Sequence, residues 1–466
     1  MNRRQFLHTS AAASLLTATA GSAEKTPGFA SPAEAMKAPR ETLLFLTCIA
    51  TDPKKPDCLA VVDADPASKN YGRVMHRLEM PNPGDELHHF GWNICSSCHG
   101  KPGDRRYLVV PGLKSGRVHV IDAADPLALK VHKVIEPEAI ANKADLSAPH
   151  TVHCLADGTV MLSMLGDAKG NGPGGFLLLG DDFEPLGKWE KDATGMKYNY
   201  DFWYQPRANV MVSSEWGAPK TFWAGFKPDD VKAGRYGKQL HVWDWKTRKI
   251  RQSIDLGDGG LIPLEVRFAH DPAKSHGFVG AALSSTVFHF HPDGERWAAD
   301  KVIEVPPVEV KGVPFPVPGL ITDLILSMDD RFLYFSNWLQ GDIRQYDVTD
   351  PAKPKLVGQL QLGGITGKAR ELGGNKLGGG PQMLQLSLDG KRLYVTNSLL
   401  SVWDDQFYPD LAKAGSWLLQ VACDTTKGGL TLNEKFVVDF GKEPNGPARA
   451  HEVRYPGGDC TSDIFA

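Results

Sequence analysis

The chain has 466 residues, of which 42% are hydrophobic and 23% charged, a composition typical of soluble globular proteins. Its formal net charge of −3 at pH 7 excludes the broadly basic surface that nucleic-acid binding requires. The seven cysteines are too few for a disulfide scaffold of this length, and their odd number leaves at least one thiol outside any intramolecular pair.

Residues 1–23 predict an export signal rather than part of the fold. Arg3 and Arg4 precede Phe-Leu and a weakly apolar stretch, 11–20, which resembles a twin-arginine signal. That stretch is too short to span a bilayer, which takes about 20 residues. We therefore expect the twin-arginine export machinery as a partner, a periplasmic location and no membrane anchor after signal removal. Residues 24–40 are expected to form an N-terminal extension.

A related short phrase recurs seven times in residues 41–466, at steps of 50 to 69 residues. The phrases begin at His89, His150, Tyr200, Leu264, Thr322, Gln382 and His451. A turn and a β-rich run follow each of the first six, as where 382–388 leads through Asp389-Gly390 to 392–397. A repeat of this length predicts an all-β fold, a seven-bladed β-propeller whose first strands line a central channel.

The two ends of the chain predict how the ring closes. Residues 41–49 and 59–63 are expected to form the second and third strands of a blade that lacks a first strand. The last phrase, 451–455, has no second strand after it. We therefore expect the C-terminal strand to pair with the N-terminal strands, which removes exposed sheet edges.

Three of the seven phrases open with histidine. His89, His150 and His451 share one phrase position, so the propeller is expected to bring them together at the channel mouth. Neutral imidazole is the commonest metal ligand and suits copper, zinc and iron. One histidine in a polar channel usually serves only as a hydrogen-bonding group, whereas three equivalent ones favour a metal site. Acidic residues at the next phrase position are candidates to hold the ring N–H groups: Asp201, Glu265, Asp323 and Glu452.

His88 and His153 flank these positions and are further candidate ligands. Neighbouring residues of a regular strand point to opposite faces, so His88 and His89 are expected to diverge unless a bulge intervenes. His150 and His153, three residues apart, are expected to diverge for the same reason.

Cys95-Ser96-Ser97-Cys98-His99 allows three interpretations. Cys-x-x-Cys-His is the attachment motif of c-type haem, which would make the chain an electron carrier. The same spacing suits a redox-active dithiol. The motif also lies at the end of a predicted strand within a repeat, which favours structural cysteines near a blade corner.

Nine segments resemble the selenium-binding protein family, and together they span the mature chain. They are DELHH (85–89), GWNICSSC (91–98), HKVIEP (132–137), YDFWYQPR (200–207), GLIPLE (260–265), FLYFSNWL (332–339), GGPQM (379–383), QFYPDL (406–411) and YPGGDC (455–460). The resemblance implies a seven-bladed propeller, in agreement with the repeat count. The family's bacterial members include methanethiol oxidases, which use copper to convert methanethiol, oxygen and water to formaldehyde, hydrogen sulfide and hydrogen peroxide.

The resemblance implies copper ligands in the motifs that contain His88 and His89 and His150 and His153, to which the repeat adds His451. Phrase position alone makes Glu265 and Asp323 candidate catalytic groups that move protons. The family's selenium-binding cysteine is replaced by Gly72 here, so covalent selenium binding is not expected. The alternative function is a periplasmic protein that binds copper, or a sulfur or selenium compound, without turnover.

Overall fold

The computed structural model describes residues 28–465 except 102, 314, 368, 369, 373 and 374. The predicted export signal, residues 1–23, lies outside the described residues, as do residues 24–27 of the predicted extension. The described residues of the extension carry one short helix, α1 (Pro32–Ala35).

The described residues form thirty β-strands. In chain order they are β1 (Leu43–Ala50), β2 (Pro56–Asp63), β3 (Val74–Pro83), β4 (Gly91–Trp92), β5 (Tyr107–Pro111), β6 (Val118–Asp122), β7 (Lys130–Ile135), β8 (Leu146–Cys154), β9 (Val160–Asp167), β10 (Gly175–Leu179), β11 (Pro185–Lys188), β12 (Phe202–Gln205), β13 (Val210–Ser214), β14 (Gln239–Asp244), β15 (Lys249–Asp255), β16 (Pro263–Phe268), β17 (Gly277–Ala281), β18 (Thr286–Asp293), β19 (Arg296–Glu304), β20 (Ile321–Leu326), β21 (Phe332–Asn337), β22 (Asp342–Asp347), β23 (Lys355–Gln361), β24 (Glu371–Leu372), β25 (Asn375–Lys376), β26 (Leu384–Leu386), β27 (Arg392–Val395), β28 (Trp417–Cys423), β29 (Leu430–Asp439) and β30 (Ala448–Arg454).

Twenty-eight of these strands form seven antiparallel sheets of four, the blades of a β-propeller. Blade 1 has the order β30-β1-β2-β3, and blades 2 to 6 are β4–β7, β8–β11, β12–β15, β16–β19 and β20–β23. Blade 7 is β26–β29, and β24 pairs with β25 in a hairpin between blades 6 and 7. Every predicted phrase begins on the first strand of a blade or within two residues before it, so the predicted fold is confirmed.

Blade 1 closes the ring as predicted. The C-terminal strand β30 runs antiparallel to β1, with Phe45 opposite Arg454 and Ala50 opposite Ala448. Strand β1 then pairs with β2, and β2 with β3. Since β30 is the innermost strand of this sheet, folding of the ring requires both ends of the chain.

Among the described residues, five further helices lie in the loops between strands. They are α2 (Pro137–Ala144), α3 (Pro219–Phe222), α4 (Pro228–Lys232), α5 (Ser401–Phe407) and α6 (Leu411–Ala414). The longest of them, α2, packs against β8 and β11 of blade 3. Within residues 28–465, as far as they are described, no helix has the length and apolar character needed to cross a membrane.

Blades 2 and 3 approach so closely at Gly91 that a side chain does not fit. A methyl group there would lie 2.7 Å from the carbonyl oxygen of Val152 and 3.1 Å from its Cβ. We expect Gly91→Ala to lower the free energy of unfolding by about 1–3 kcal/mol, because overpacking displaces backbone. Chemical denaturation would measure the loss. Gly259→Ala is the matched control, since no atom lies within 4 Å of its added methyl group. Equal effects of the two changes would contradict the prediction.

Candidate metal centre and active site

Four imidazole rings meet at one end of the central channel. The ring centroids of His88 and His451 are 3.9 Å apart, and those of His89 and His150 are 4.1 Å apart. His88 lies 5.9 Å from His150, and His89 lies 5.6 Å from His451. All four side chains are buried. The structure therefore brings together four of the five predicted metal ligands.

Irregular backbone explains why His88 and His89 both point into this cluster. Residues 88–90 lie before β4 and outside any regular strand, and Glu86 has a left-handed φ of 55°. The alternation that sends neighbouring side chains to opposite faces holds only in a regular strand. Both histidines can therefore face the channel.

Left-handed residues mark the same point in four blades. They are Glu86, Ala148, Ile262 and Leu320, which lie two residues before His88, His150, Leu264 and Thr322. By this marker, the residue of blade 2 equivalent to His150 is His88. The phrase alignment, which placed His89 there, was one residue too late.

Hydrogen bonds between blades give the same register. A hydroxyl on the second strand of one blade donates to the backbone carbonyl of the next blade's channel residue. The pairs are Thr47 with His88 (2.9 Å), Ser214 with Leu264 (2.6 Å), Ser336 with Gln382 (2.6 Å), and Thr396 with His451. Because His88 is the bonded residue in blade 2, His89 takes the position that Glu265 and Glu452 hold in their blades.

His153 is the predicted ligand that lies away from the cluster. Its ring packs edge-on against Phe202 and Trp203, with both centroid distances 5.1 Å. Both ring nitrogens are buried without a hydrogen-bond partner. The divergence from His150 expected of residues three apart on one strand accounts for this placement.

A small cavity adjoins three of the four rings. Its volume is about 20 Å³, which is enough for one water-sized molecule. Channel residues of six blades line it: His88, His150, Tyr200, Leu264, Thr322 and His451. The remaining lining is apolar and comes from Trp216, Ile262, Ala282, Leu320, Leu399 and Trp403. The cavity therefore presents imidazole groups to a molecule whose other surroundings are largely apolar.

Trp403 of α5 lines this cavity, and Phe222 of α3 packs against Trp216 in its wall. Trp216 stacks on Phe222 with ring centroids 4.1 Å apart, and Trp403 donates from Nε1 to the carbonyl of Phe222 at 3.1 Å. The carboxylate of Glu86 accepts from the N–H of Ser401, the first residue of α5, at 2.7 Å. These aromatic residues were not predicted as site residues, because their sequence context did not distinguish them from residues that pack between blades.

The histidines of the cluster can bind a metal ion because their rings are neutral and have nitrogen atoms without hydrogen-bond partners. Burial lowers the pKa of His89, His150 and His451 well below the usual imidazole value, so the rings are neutral at pH 7. Nδ1 of His451 donates to the carbonyl of Ser398 at 2.7 Å, which leaves the Nε2 lone pair free. Nε2 of His88, His89 and His451 are all buried without a hydrogen-bond partner.

The side chains do not already enclose an ion. In the described part of the chain, no three His, Cys, Asp or Glu side chains have the spacing of a finished metal site. Convergence on one ion would therefore require ring rotation within the cluster. The unpaired Nε2 atoms of buried rings nevertheless fit a metal better than a hydrogen-bonded core, because buried polar atoms normally have partners.

The two predicted catalytic carboxylates, Glu265 and Asp323, have different surroundings. Glu265 Oε1 is 3.6 Å from His89 Nε2, and Glu265 Oε2 accepts from Arg267 at 2.8 Å. Burial raises the pKa of Glu265 well above its usual range. Asp323 instead accepts the N–H groups of Leu324 (2.7 Å) and Leu384 (2.6 Å), and burial raises its pKa to about 7. Glu265 thus faces the histidines, whereas Asp323 joins blades 6 and 7.

The cysteine motif is part of a covalent link between blades 2 and 3. Cys95 forms a disulfide with Cys154 at the end of β8, and Cys98 is a free thiol. His99 Nδ1 is 2.7 Å from the carbonyl oxygen of Gly28. Haem attachment requires both thiols of the motif, so the disulfide argues against the haem interpretation.

Comparison with protein families gives a match over nearly the whole chain. The model of the 56 kDa selenium-binding proteins matches residues 23–466. The chain belongs to the 56 kDa selenium-binding protein family. Two relatives of this chain are named methanethiol oxidase. The one from Homo sapiens is 57% identical over 463 residues, and the one from Xenopus laevis is 56% identical over 463 residues. Each alignment covers 94% of this chain and 98% of the relative.

Solved structures support the same family and fold. A hypothetical selenium-binding protein from Sulfolobus tokodaii matches this family member with a TM-score of 0.90 and 43% identity, over 95% of this chain and all of the other. A periplasmic gluconolactonase from Pseudomonas aeruginosa matches with a TM-score of 0.56 and 14% identity, over 89% of this chain and 98% of the other. At that identity the second match shows only a shared fold.

Proposed function

We propose that this chain is a copper-dependent methanethiol oxidase of the periplasm. It converts methanethiol, oxygen and water to formaldehyde, hydrogen sulfide and hydrogen peroxide at the channel-mouth histidines. The observation that carries the proposal is the buried cluster of His88, His89, His150 and His451 beside an apolar cavity, in a chain whose relatives at 56–57% identity are named methanethiol oxidase.

The site's chemistry supports copper as the metal. His88, His150 and His451 line the cavity. The ring of His89 lies next to those of His150 and His451, at centroid distances of 4.1 and 5.6 Å. Bound copper would supply a soft Lewis acid for a thiolate sulfur and a centre for electron exchange with oxygen. A carboxylate steadies one of the rings: Glu452 Oε1 lies 3.2 Å from His89 Nδ1, the nitrogen opposite the unpaired Nε2.

The cavity's shape supports a small apolar thiol as substrate. Leu264, Trp216 and Trp403 form walls that suit a methyl group, while the imidazole groups face the position of the sulfur. The small free volume favours a substrate with few non-hydrogen atoms.

Glu265 is the group placed to hold a proton released by the thiol. Its position 3.6 Å from His89 and its raised pKa, which favours the protonated carboxyl, suit a group that holds a proton beside the cluster. We expect Glu265→Gln to lower the turnover number about 100-fold while copper content stays at the wild-type level, as measured by sulfide release and metal analysis. Unchanged turnover would remove Glu265 from the mechanism.

Asp323→Asn is the matched comparison for Glu265→Gln. Asp323 has the same phrase position but its oxygen atoms are bound by backbone N–H groups of blades 6 and 7. We expect this change to reduce the free energy of unfolding and to alter turnover less than Glu265→Gln does.

The periplasmic location rests on the N-terminal sequence and on the oxidised cysteine pair. Disulfides persist in oxidising compartments such as the periplasm, and Cys95 is bonded to Cys154. Replacing both Arg3 and Arg4 by lysine is expected to retain the unprocessed protein in the cytoplasm, as judged by cell fractionation. Export of that variant at the wild-type level would contradict a twin-arginine route.

Turnover by the copper-loaded protein tests the proposed function. Methanethiol is added to purified protein with copper and to protein stripped by a chelator, and oxygen uptake, sulfide and peroxide are recorded. Copper-dependent appearance of all three signals is the expected result. Stoichiometric copper binding without turnover would instead support a protein that binds copper without catalysing oxidation.

A further inference from the structure

Three cysteine sulfurs lie together where blade 2 meets blade 3. Cys95 is bonded to Cys154, and Sγ of the free thiol Cys98 lies 3.7 Å from Sγ of Cys154. Cys95 precedes a short 3₁₀ turn and Cys98 is its last residue, so the turn places both sulfurs near Cys154. A disulfide that only joined the two blades would need no third sulfur beside it.

A hydroxyl group lies between the three sulfurs. Ser97 Oγ is 3.1 Å from Cys95 Sγ, 3.4 Å from Cys154 Sγ and 3.9 Å from Cys98 Sγ. The hydroxyl of Tyr204 in blade 4 donates to the carbonyl of Cys154 and accepts from Ser97 Oγ at 3.2 Å, which fixes the position of the Ser97 hydroxyl. The four groups, Cys95, Ser97, Cys98 and Cys154, are all buried. A hydroxyl in this place can accept a proton from one sulfur and donate one to another.

We propose that these residues form a thiol–disulfide exchange site, in which Cys98 replaces Cys95 as the partner of Cys154. The thiolate of Cys98 attacks Sγ of Cys154, and a Cys98–Cys154 bond forms as the Cys95–Cys154 bond breaks. The electron pair of the broken bond leaves on Cys95 as thiolate. The proton lost by Cys98 passes to Cys95 through Ser97, so the exchange has no net oxidation and needs no external oxidant.

The exchange would connect the disulfide to β8, the strand that carries His150 of the histidine cluster. Cys154 and His150 lie on β8, four residues apart, or roughly 13 Å at strand spacing. Both disulfide states anchor the end of β8 to blade 2, but through opposite ends of the 3₁₀ turn. The inference stands on the sulfur geometry alone and is independent of the proposed oxidase activity.

The test uses the full chain with Cys95→Ser, in which only Cys98 can pair with Cys154. Free thiols are counted in denaturant without reductant, and the disulfide is located by peptide mass mapping. The wild-type protein has five free cysteines. We expect Cys95→Ser to have four and to contain a Cys98–Cys154 linkage. Six free thiols and no linkage would overturn the proposal.

Cys98→Ser is the matched control, and it should retain the Cys95–Cys154 linkage with four free thiols. A second measurement on the wild-type chain covers a failure of Cys95→Ser to fold. The protein is held at mildly alkaline pH, where thiolates form, then quenched with acid, alkylated and mapped. A fraction of Cys98–Cys154 linkages that rises with time is expected. A disulfide that remains entirely between Cys95 and Cys154 would overturn the proposal.

Discussion

Replacing His451 by alanine is expected to remove copper from the protein and to lower methanethiol turnover by at least about 100-fold. Removing a residue that only hydrogen-bonds to a metal ligand typically costs about 10–100-fold in metal affinity or activity. Removing a ligand itself is expected to cost more. His451 is the ring whose tautomer is set by a backbone carbonyl, so its Nε2 is committed to the channel. Copper content by metal analysis and sulfide release would measure the two effects.

His153→Ala is the matched control for His451→Ala. Both changes remove a buried imidazole from a first strand, so both should lower stability. The ring of His153 lies against Phe202 and Trp203 rather than against the cluster, so copper and turnover should remain. Copper loss in His153→Ala with copper retained in His451→Ala would show that the ligand assignment is wrong.

Replacing Arg267 by methionine is expected to lower the free energy of unfolding by about 3–5 kcal/mol, because it leaves buried carboxylates without a partner. Arg267 is buried in the channel, 2.8 Å from Asp201 Oδ2 and 2.8 Å from Glu265 Oε2. Asp323 Oδ1 lies 3.9 Å away on the next blade. Methionine preserves much of the side-chain volume, so the loss reports charge rather than a cavity.

A double-mutant cycle separates the two contributions. In Arg267→Met with Asp201→Asn, one of the unpaired charges is gone, so the combined loss should be smaller than the sum of the single losses. Urea unfolding at equilibrium would give all four free energies. Simple additivity, or a loss below about 1 kcal/mol for Arg267→Met alone, would contradict the buried ion network.

The fold could be predicted because the residues that form each blade's first strand and the turn after it recur along the sequence. Asp-Gly at 389–390 lies between β26 and β27 as expected, and Gly390 has the positive φ that such a turn needs. The second and third strands predicted at 41–49 and 59–63 correspond to β1 and β2. Closure by β30 followed from counting strands at both ends of the chain.

The position of His88 could not be predicted, because phrase alignment assumes a regular strand and the backbone before β4 is irregular. A signal was present in the second strands. Thr47, Ser214 and Ser336 each bind the carbonyl of the next blade's channel residue. Had these hydroxyls been recognised as one repeat position, the sequence would have predicted hydrogen bonds between neighbouring blades at that position. The carbonyl that each hydroxyl binds depends on how the blades pack, which the sequence does not show.

The different roles of Glu265 and Asp323 were likewise hidden by their shared phrase position. The pattern of the ring would pair Glu265 with the N–H of Leu324, as Asp201 pairs with the N–H of Val266. Asp323 already binds the N–H of Leu324 through its own Oδ1. Glu265 therefore pairs with Arg267 and faces His89. This outcome depends on which carboxylate, Glu265 or Asp323, binds the N–H of Leu324.

The pairing of Cys95 with Cys154 depends on the same kind of contact. The two residues lie 59 positions apart, on different blades, and meet only because β4 packs against β8. Sequence spacing suggested instead that Cys95 and Cys98 act together. The two cysteines are nevertheless close in the structure, because Cys98 lies beside the disulfide that Cys95 forms.

Anomalous X-ray scattering at the copper absorption edge, from crystals of the copper-loaded protein, tests the central claim most directly. A copper peak among the Nε2 atoms of the channel-mouth histidines, lost in His451→Ala, is the expected result. Ordered copper elsewhere, such as at Cys48 and Cys58, with no peak at the channel mouth, would contradict the proposed site and the function derived from it.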